Sequence, residues 1–280
     1  MPTRARKSGA SFARHAAPFA PLALALAVQT THPVSSHRGG AKLHAVSREA
    51  AIFQSVCNFP FNAVRNPDID DECGIDGGSS DLSKQAESRA KNNFCATSRG
   101  LRSVTYEDLV GLQRDSTGIP KNLADRSRLE SMGEGDYVSY IAFIKQAHYS
   151  DVGNGEAVNC NIPGNSTNDI HIVLMKDPED KDECDSTTAE MSPHYRPAEW
   201  TPENLNALTD RPVRIEGQLF YDGSHTPCTS HSRPNPKRAS LWEIHPVYSV
   251  DVCSEDNLDA CSSGNAQWTP LSQYFSSEAK

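Results

Sequence analysis

The sequence predicts a mainly β protein, a small closed barrel preceded by a helical, cysteine-bearing region, and three observations predict it. Two runs near the C-terminal end, 211–222 and 238–253, alternate in polarity and carry aromatic and β-branched residues, the signature of half-buried strands. In the first, Val213, Ile215, Gly217, Leu219 and Tyr221 fall on one side. In the second, Trp242, Ile244 and Tyr248 share a side, and Glu243 and His245 point opposite. The stretch between them, 223–237, is rich in Gly, Ser, Pro, Asn and His and reads as a long loop. Upstream lie three strand-like segments and then a helix. The resulting order, β-β-β-α-β-β, is that of the OB-fold, a five-stranded Greek-key barrel. That fold uses the helix to plug one end of the barrel.

The elements before the barrel follow from local chemistry. Residues 1–27 have the layout of a secretory signal: Arg4, Arg6, Lys7 and Arg14 precede an apolar run, and Ala25-Leu-Ala27 fits a small-x-small cleavage site. The run is too short to span a bilayer. Residues 28–45 are polar and aperiodic, a flexible linker whose His32, His37 and His44 could bind metal adventitiously but are expected to be exposed to solvent without function. Residues 46–130 form a helical region containing cysteines. Ser47 caps a short helix through Ala51, Ile52 and Val56. Residues 68–78 hold five acids and three glycines, a density able to bind calcium. The EF-hand spacing fails, with Cys73 at the sixth position and Ser79 at the twelfth, so a solvated loop anchored by a disulfide is expected. Residues 81–93 are good helix formers, with Lys84, Ala86, Glu87 and Ala90 suited to a surface helix. Thr105 and Asp108 form a capping box for a helix with Leu109 and Leu112 as its apolar contacts. Lys121, Arg126 and Arg128, interrupted by Asp125 and Glu130, read as a solvated face.

The barrel is expected over 131–255. Val138, Tyr140, Ala142 and Ile144 alternate with Tyr137, Ser139, Ile141 and Phe143, so one long curved strand serves two parts of the core. A second strand is expected near 156–160 and a third over 169–175, followed by an acidic loop, 177–190, that contains Cys184. Thr201-Pro202-Glu203 is an N-cap followed by Pro at the first helical position, with Leu205 and Leu208 as the buried side. Residues 256–280 read as a C-terminal tail.

Eight cysteines, Cys57, Cys73, Cys95, Cys160, Cys184, Cys228, Cys253 and Cys261, all follow the leader. An even number in an exported chain points to disulfides, and no C-x2-C pair supports zinc. Cys253 with Cys261, and Cys73 with Cys95, are the pairs expected first. Leader and cysteines together predict a periplasmic or secreted protein. A formal charge of -9 argues against a chain built mainly to hold nucleic acid. No segment after the leader is apolar enough to cross a membrane.

Asn168-Asp-Ile-His-Ile-Val-Leu174, Gly217-Gln-Leu-Phe-Tyr-Asp222, His225 and Ala239-Ser-Leu-Trp-Glu-Ile-His-Pro246 carry a further signal, together with Lys91-Asn-Asn-Phe-Cys95. Through them the chain resembles a family of uncharacterised exported bacterial proteins with an OB-like barrel, over about residues 50–255. Trp-Glu-Ile-His-Pro is its most telling run. The resemblance implies the fold and brings no activity with it.

The polar residues that stand out are Asp169, His171, Asp222, His225, Glu243 and His245. Asp169 and His171 would share a strand face, as would Glu243 and His245, although the two strands need not be neighbours. If Asp222, His225 and His245 converged, they could hold a divalent metal through oxygen and imidazole ligands. Such a metal can activate water for ester or phosphodiester hydrolysis. The plainer expectation is that Glu243 and His245 hydrogen-bond to neighbouring loops and fix the 223–237 connection. No G-x-S-x-G, H-E-x-x-H or P-loop motif is present. Single-stranded nucleic acid is a further alternative, with Tyr137, Tyr140, Phe143, Phe220, Tyr221, Trp242 and Tyr248 as stacking residues. Arg211, Arg214, Arg233, Lys237 and Arg238 would supply the charge for it, but a small barrel needs most of those aromatics for its core. The sequence thus predicts a disulfide-stabilised OB-like binding or structural module with no assigned cofactor, and a metal-dependent hydrolase as the rival class.

Overall fold

Short helices lead into the barrel in the computed structural model, in which residues 66–70 and 72–278 are described. The leader, the linker, the helix expected at Ser47 and Cys57 lie outside the described residues. Helix α1 is Pro67–Asp70 and α2 is Leu82–Lys91, where the Asp81 carboxylate accepts from the Ser83 amide at 2.8 Å. Strand β1, Thr97–Val104, precedes α3, Tyr106–Asp115, which opens on the expected Thr105–Asp108 capping box. Helix α4, Ser127–Met132, ends at Gly133 with φ 118°, a left-handed cap suited to glycine.

Strand β1 was not foreseen. Its sequence does not alternate, and it is a strand because it pairs parallel to the long one, with Val104 opposite Tyr140. The long strand is β2, Asp136–Tyr149. Two segments were assigned wrongly. The strand expected at 156–160 is a single 3-10 turn, Ala157–Asn159, ending at Cys160 with φ 55°. The strand expected third is β3, Ile170–Met175, and it is the second of the barrel. The true third is β4, Thr187–Met191, inside the stretch expected as an acidic loop. All five of its residues are buried, so its polarity does not alternate, and its two threonines and one glutamate hide it.

Helix α5, Pro202–Asn206, follows with Thr201 as its N-cap, then β5, Pro212–Tyr221, and β6, Trp242–Cys253. Strand β2 pairs antiparallel with β5 over its first half and with β3 over its second, Phe143 facing both Pro212 and Met175. Strands β3 and β4 are antiparallel, β4 and β6 parallel, and β6 and β5 antiparallel, which closes the ring. This is the OB-like barrel, its β-β-β-α-β-β order kept although two of its strands are reassigned. The tail adds α6, Leu258–Ser262, then β7, Trp268–Pro270, which pairs with β6, and α7, Leu271–Glu278.

The interior is filled by Val138, Ile144, Ile172, Ile215, Leu219 and their neighbours, with Leu205 and Leu208 closing one end. Trp242 is fully buried, its indole Nε1 3.4 Å from Ser116 Oγ. Trp242 and Ile244 point inward, but Tyr248 does not share their side as expected. The β5–β6 register shifts twice, between Gly217 and Leu219 and between Glu216 and Gly217, so the inward side moves to Val247 and then to Val250 and Val252. Tyr248 faces outward against Phe94, its hydroxyl donating to the Asn93 carbonyl at 2.6 Å. At the same crossing a Cβ on Gly217 would run into the Pro246 carbonyl and approach Ile244 Cγ2 to 2.6 Å.

Three disulfides are located: Cys73–Cys160, Cys184–Cys228 and Cys253–Cys261. The last is as expected. The expected Cys73–Cys95 pair is not formed, because the 74–78 loop packs on the 3-10 turn, Gly78 N–H donating to Ala157 O at 2.8 Å, and brings Cys73 to Cys160. Cys95 is itself disulfide-bonded. Arg126, expected on a solvated face, is buried against Glu134 and donates to the Tyr221 carbonyl at 2.7 Å. Among the described residues no helix is long and apolar enough to cross a membrane.

Candidate metal centre

A barrel strand normally turns one face to the core and the other to water. Here part of the outer face is covered. The C-terminal end of α2 crosses the outside of β5 and β6. Gln218 Nε2 donates to the Ala90 carbonyl at 2.8 Å and to the His245 carbonyl at 2.7 Å, and Asn93 Nδ2 donates to Gln218 Oε1 at 2.5 Å. Helix α2, expected as a surface helix, is therefore a cover, and Lys91 at its end lies 5.8 Å from the centroid of the Phe220 ring.

The side chains that point outward from β3, β4 and β6 under this cover are charged. His171 on β3 is directly opposite Glu190 on β4. Ala189 is opposite Ile244 on β6, so Glu190 stands beside Glu243 and His245. Strand β4 is the missing neighbour between β3 and β6, and it carries the acid that joins them. His245 Nδ1 lies 2.8 Å from Glu190 Oε2 and 3.5 Å from Glu243 Oε1, and its Nε2 lies 3.5 Å from Asp169 Oδ2. His171 Nε2 lies 3.1 Å from Glu190 Oε1 and 3.7 Å from Glu156 Oε1. Lys91 Nζ lies 3.6 Å from Glu190 Oε2. Glu190, with a side chain 0% exposed, thus meets three nitrogen bases.

Arg238 forms the other half. Its Nη1 lies 2.8 Å from Glu243 Oε2 and 3.1 Å from Asp222 Oδ2, and Asp222 also contacts His225 Nδ1. Asp222 and Arg238 flank the 223–237 connection, so Glu243 does help fix that loop. His245 does not, since its partners are Asp169, Glu190 and Glu243.

All six residues singled out in the sequence, Asp169, His171, Asp222, His225, Glu243 and His245, belong to this one cluster. Four were missed. Glu190 was hidden in the unrecognised strand and Glu156 in a segment misread as one. Arg238 reads in the sequence as surface charge, and nothing in Lys-Asn-Asn-Phe-Cys marks Lys91 as facing a group of acids.

Five carboxylates, Glu156, Asp169, Glu190, Asp222 and Glu243, meet two permanent cations here, Lys91 and Arg238. Burial opposes charge on His245, yet Glu190 and then Glu243 and Asp169 raise its pKa to about 10. His171 rises to about 9, against burial, through Glu190 and Glu156. Burial, with Glu156 beside it, lifts Asp169 to about 7. Glu190, despite burial, is held well below the carboxylate range by His171, Lys91 and His245. Without a bound cation the cluster therefore holds His171 and His245 protonated.

That compensation is imperfect in geometry. Asp169 Oδ2, both Glu190 oxygens, Glu243 Oε1, His171 Nε2 and His245 Nδ1 are buried and find no aligned hydrogen bond. They approach one another without pointing donors at acceptors, as ligand atoms do around a shared point. Asp169, Glu190 and His245 offer ligand atoms within 4.8 Å of one another, and so do Glu190, Asp222 and Glu243. The mixed carboxylate–imidazole donor set of the first group suits a divalent ion such as zinc or manganese. A cavity of about 470 Å³, lined by Lys91, Glu156, His171, Ser224 and His225 among others, opens onto the cluster. His171 and Lys91, 14% and 12% exposed, connect it to solvent.

Most of the residues named for nucleic acid are otherwise engaged. Phe143, Phe220, Tyr221, Trp242 and Tyr248 are buried, and Arg214, Arg233, Lys237 and Arg238 pair with Asp251, Asp182, Glu183 and Asp222.

No family model and no curated protein matches the sequence. Among solved structures, a protein assigned as an aspartyl-tRNA synthetase from Leishmania major Friedlin is similar over 58% of this chain and 22% of its own, at 14% identity and a TM-score of 0.26. The chain thus spans under a quarter of that protein, and a likeness of this size carries no argument about either.

Proposed function

We propose that this protein is an exported, disulfide-stabilised OB-like module that binds a divalent cation on its outer barrel face through Asp169, Glu190 and His245, with His171 beside them. The observation that carries this is Glu190: fully buried, with neither oxygen in an aligned hydrogen bond, and facing two imidazoles at 2.8 and 3.1 Å. A buried carboxylate is normally satisfied or neutralised, and a cation at this point does both. Export is supported by the located disulfides, which are rare in reducing compartments, and by the leader pattern in the sequence. The test is differential scanning fluorimetry of the EDTA-treated protein with added manganese, zinc or calcium. Metal at 100 times Kd stabilises a fold by about 2.7 kcal/mol. A melting temperature that rises with none of the three defeats the reading.

A second reading, hydrolysis of an ester or phosphodiester at that cation, has one observation in its favour: the cavity that opens on His171 and Lys91. A water on the ion would be activated there. Metal-loaded protein should then cleave a chromogenic phosphodiester, and Glu190→Gln should not.

A further inference from the structure

The two candidate ligand groups are not separate, because both use Glu190. Oxygen-rich sites that share a carboxylate are how paired-metal centres are built, with ions about 3.5–4 Å apart. In this chain the second group, Glu190, Asp222 and Glu243, is already met by fixed positive charge. Arg238 bonds both Asp222 and Glu243. Lys91 reaches Glu190 from the other side, its stem held where α2 docks on Gln218 and its ammonium near the Phe220 ring.

We propose that the centre is mononuclear because Lys91 is the protein's own second cation, standing against Glu190, the carboxylate a second divalent ion would have to share. This rests on the cation reading above. The charges support it: with neutral imidazoles and one divalent ion, the five carboxylates meet four positive charges, two of them from Lys91 and Arg238. Without Lys91 they meet three, a deficit of two charges that a second divalent ion fills. Lys91 is only 12% exposed, its ammonium 3.6 Å from Glu190 Oε2 and 5.8 Å from the centroid of the Phe220 ring. An ammonium so held is a fixed part of the site, not a mobile surface group.

Lys91 therefore sets metal stoichiometry, and the probe is Mn²⁺ added to the full chain. Equilibrium dialysis with metal analysis should give one ion per chain for wild type and Lys91→Arg, and two for Lys91→Ala and Lys91→Gln. Electron paramagnetic resonance should give an isolated six-line spectrum for wild type and a spin-coupled signal for the two neutral variants. Far-UV circular dichroism establishes that each variant is folded, and Lys91→Gln, which keeps most of the side chain, serves if Lys91→Ala does not fold. Two ions in wild type, or one in both folded neutral variants, overturns the role of Lys91 and leaves the cation site standing. No ion in wild type overturns the cation site, and this inference with it.

Discussion

Glu190→Gln changes one atom in the shape of the site and removes the charge that three nitrogen bases share. Lys91, His171 and His245 all lie within 3.6 Å of its oxygens, and its side chain is fully buried. Removing one partner from a buried ion pair typically costs about 3–5 kcal/mol, because the remaining charge stays desolvated. Lys91 loses its carboxylate here, but the two imidazoles keep Glu156, Asp169 and Glu243 beside them and can shed their protons, so the cost should stay in that range. For a domain of this size each kcal/mol shifts the melting temperature by about 2–4 °C, so the metal-free variant should melt about 10 °C below wild type. The deficit should shrink above about pH 9, where wild type also loses its imidazolium charges. Tryptophan-fluorescence melts of both proteins in EDTA, at two pH values, measure this. Adding manganese then separates the roles: wild type should gain stability and the variant should not. A variant that melts with wild type in EDTA would refute the buried-hub argument. A variant that is destabilised yet responds to manganese like wild type would place the ion elsewhere.

Three further outcomes follow from the same structure. In the metal-free protein the raised pKa values of His245, about 10, and His171, about 9, make their stabilising contribution complete below the unfolded value near about 6.5. It is lost as pH rises through 9 to 10, so urea midpoints in EDTA should fall across that window, and flat midpoints would count against protonated imidazoles. Reduction should lower the melting temperature markedly, since each located disulfide contributes about 2–4 kcal/mol, and thiol titration of the denatured, unreduced protein should find few thiols. Trp242→Ala, removing a fully buried side chain from the barrel interior, should cost about 3–5 kcal/mol by chemical denaturation. A cost below about 1 kcal/mol would mean the interior is packed differently.

What the sequence could reveal depended on how each element is buried. Strands with one wet or lightly covered side announced themselves: Val213, Ile215 and Leu219 alternate, and β5 was found. Strand β4 is buried on both sides, and its outward residue is a glutamate held by two histidines, so nothing in Thr-Thr-Ala-Glu-Met marks it as a strand. Strand β1 exists only by pairing with β2. For the site, the paired patterns Asp169-x-His171 and Glu243-x-His245 placed each pair on one strand face, and both belong to the cluster. What joins them is tertiary: β4 between β3 and β6, and α2 laid over the outside. Single-strand periodicity does not record which strand is next to which, so Glu190 and Lys91 stayed out of sight. Tyr248 was misplaced for a related reason, a register shift that resets the inward side within β6.

The most direct measurement is the metal content of the purified full chain, expressed into an oxidising compartment and dialysed against manganese or zinc, beside Glu190→Gln and His245→Ala. The account predicts one divalent ion per wild-type chain and none in either folded variant. A wild-type chain that retains no ion, or variants that retain it fully, would contradict the assignment of Asp169, Glu190 and His245 as a metal centre.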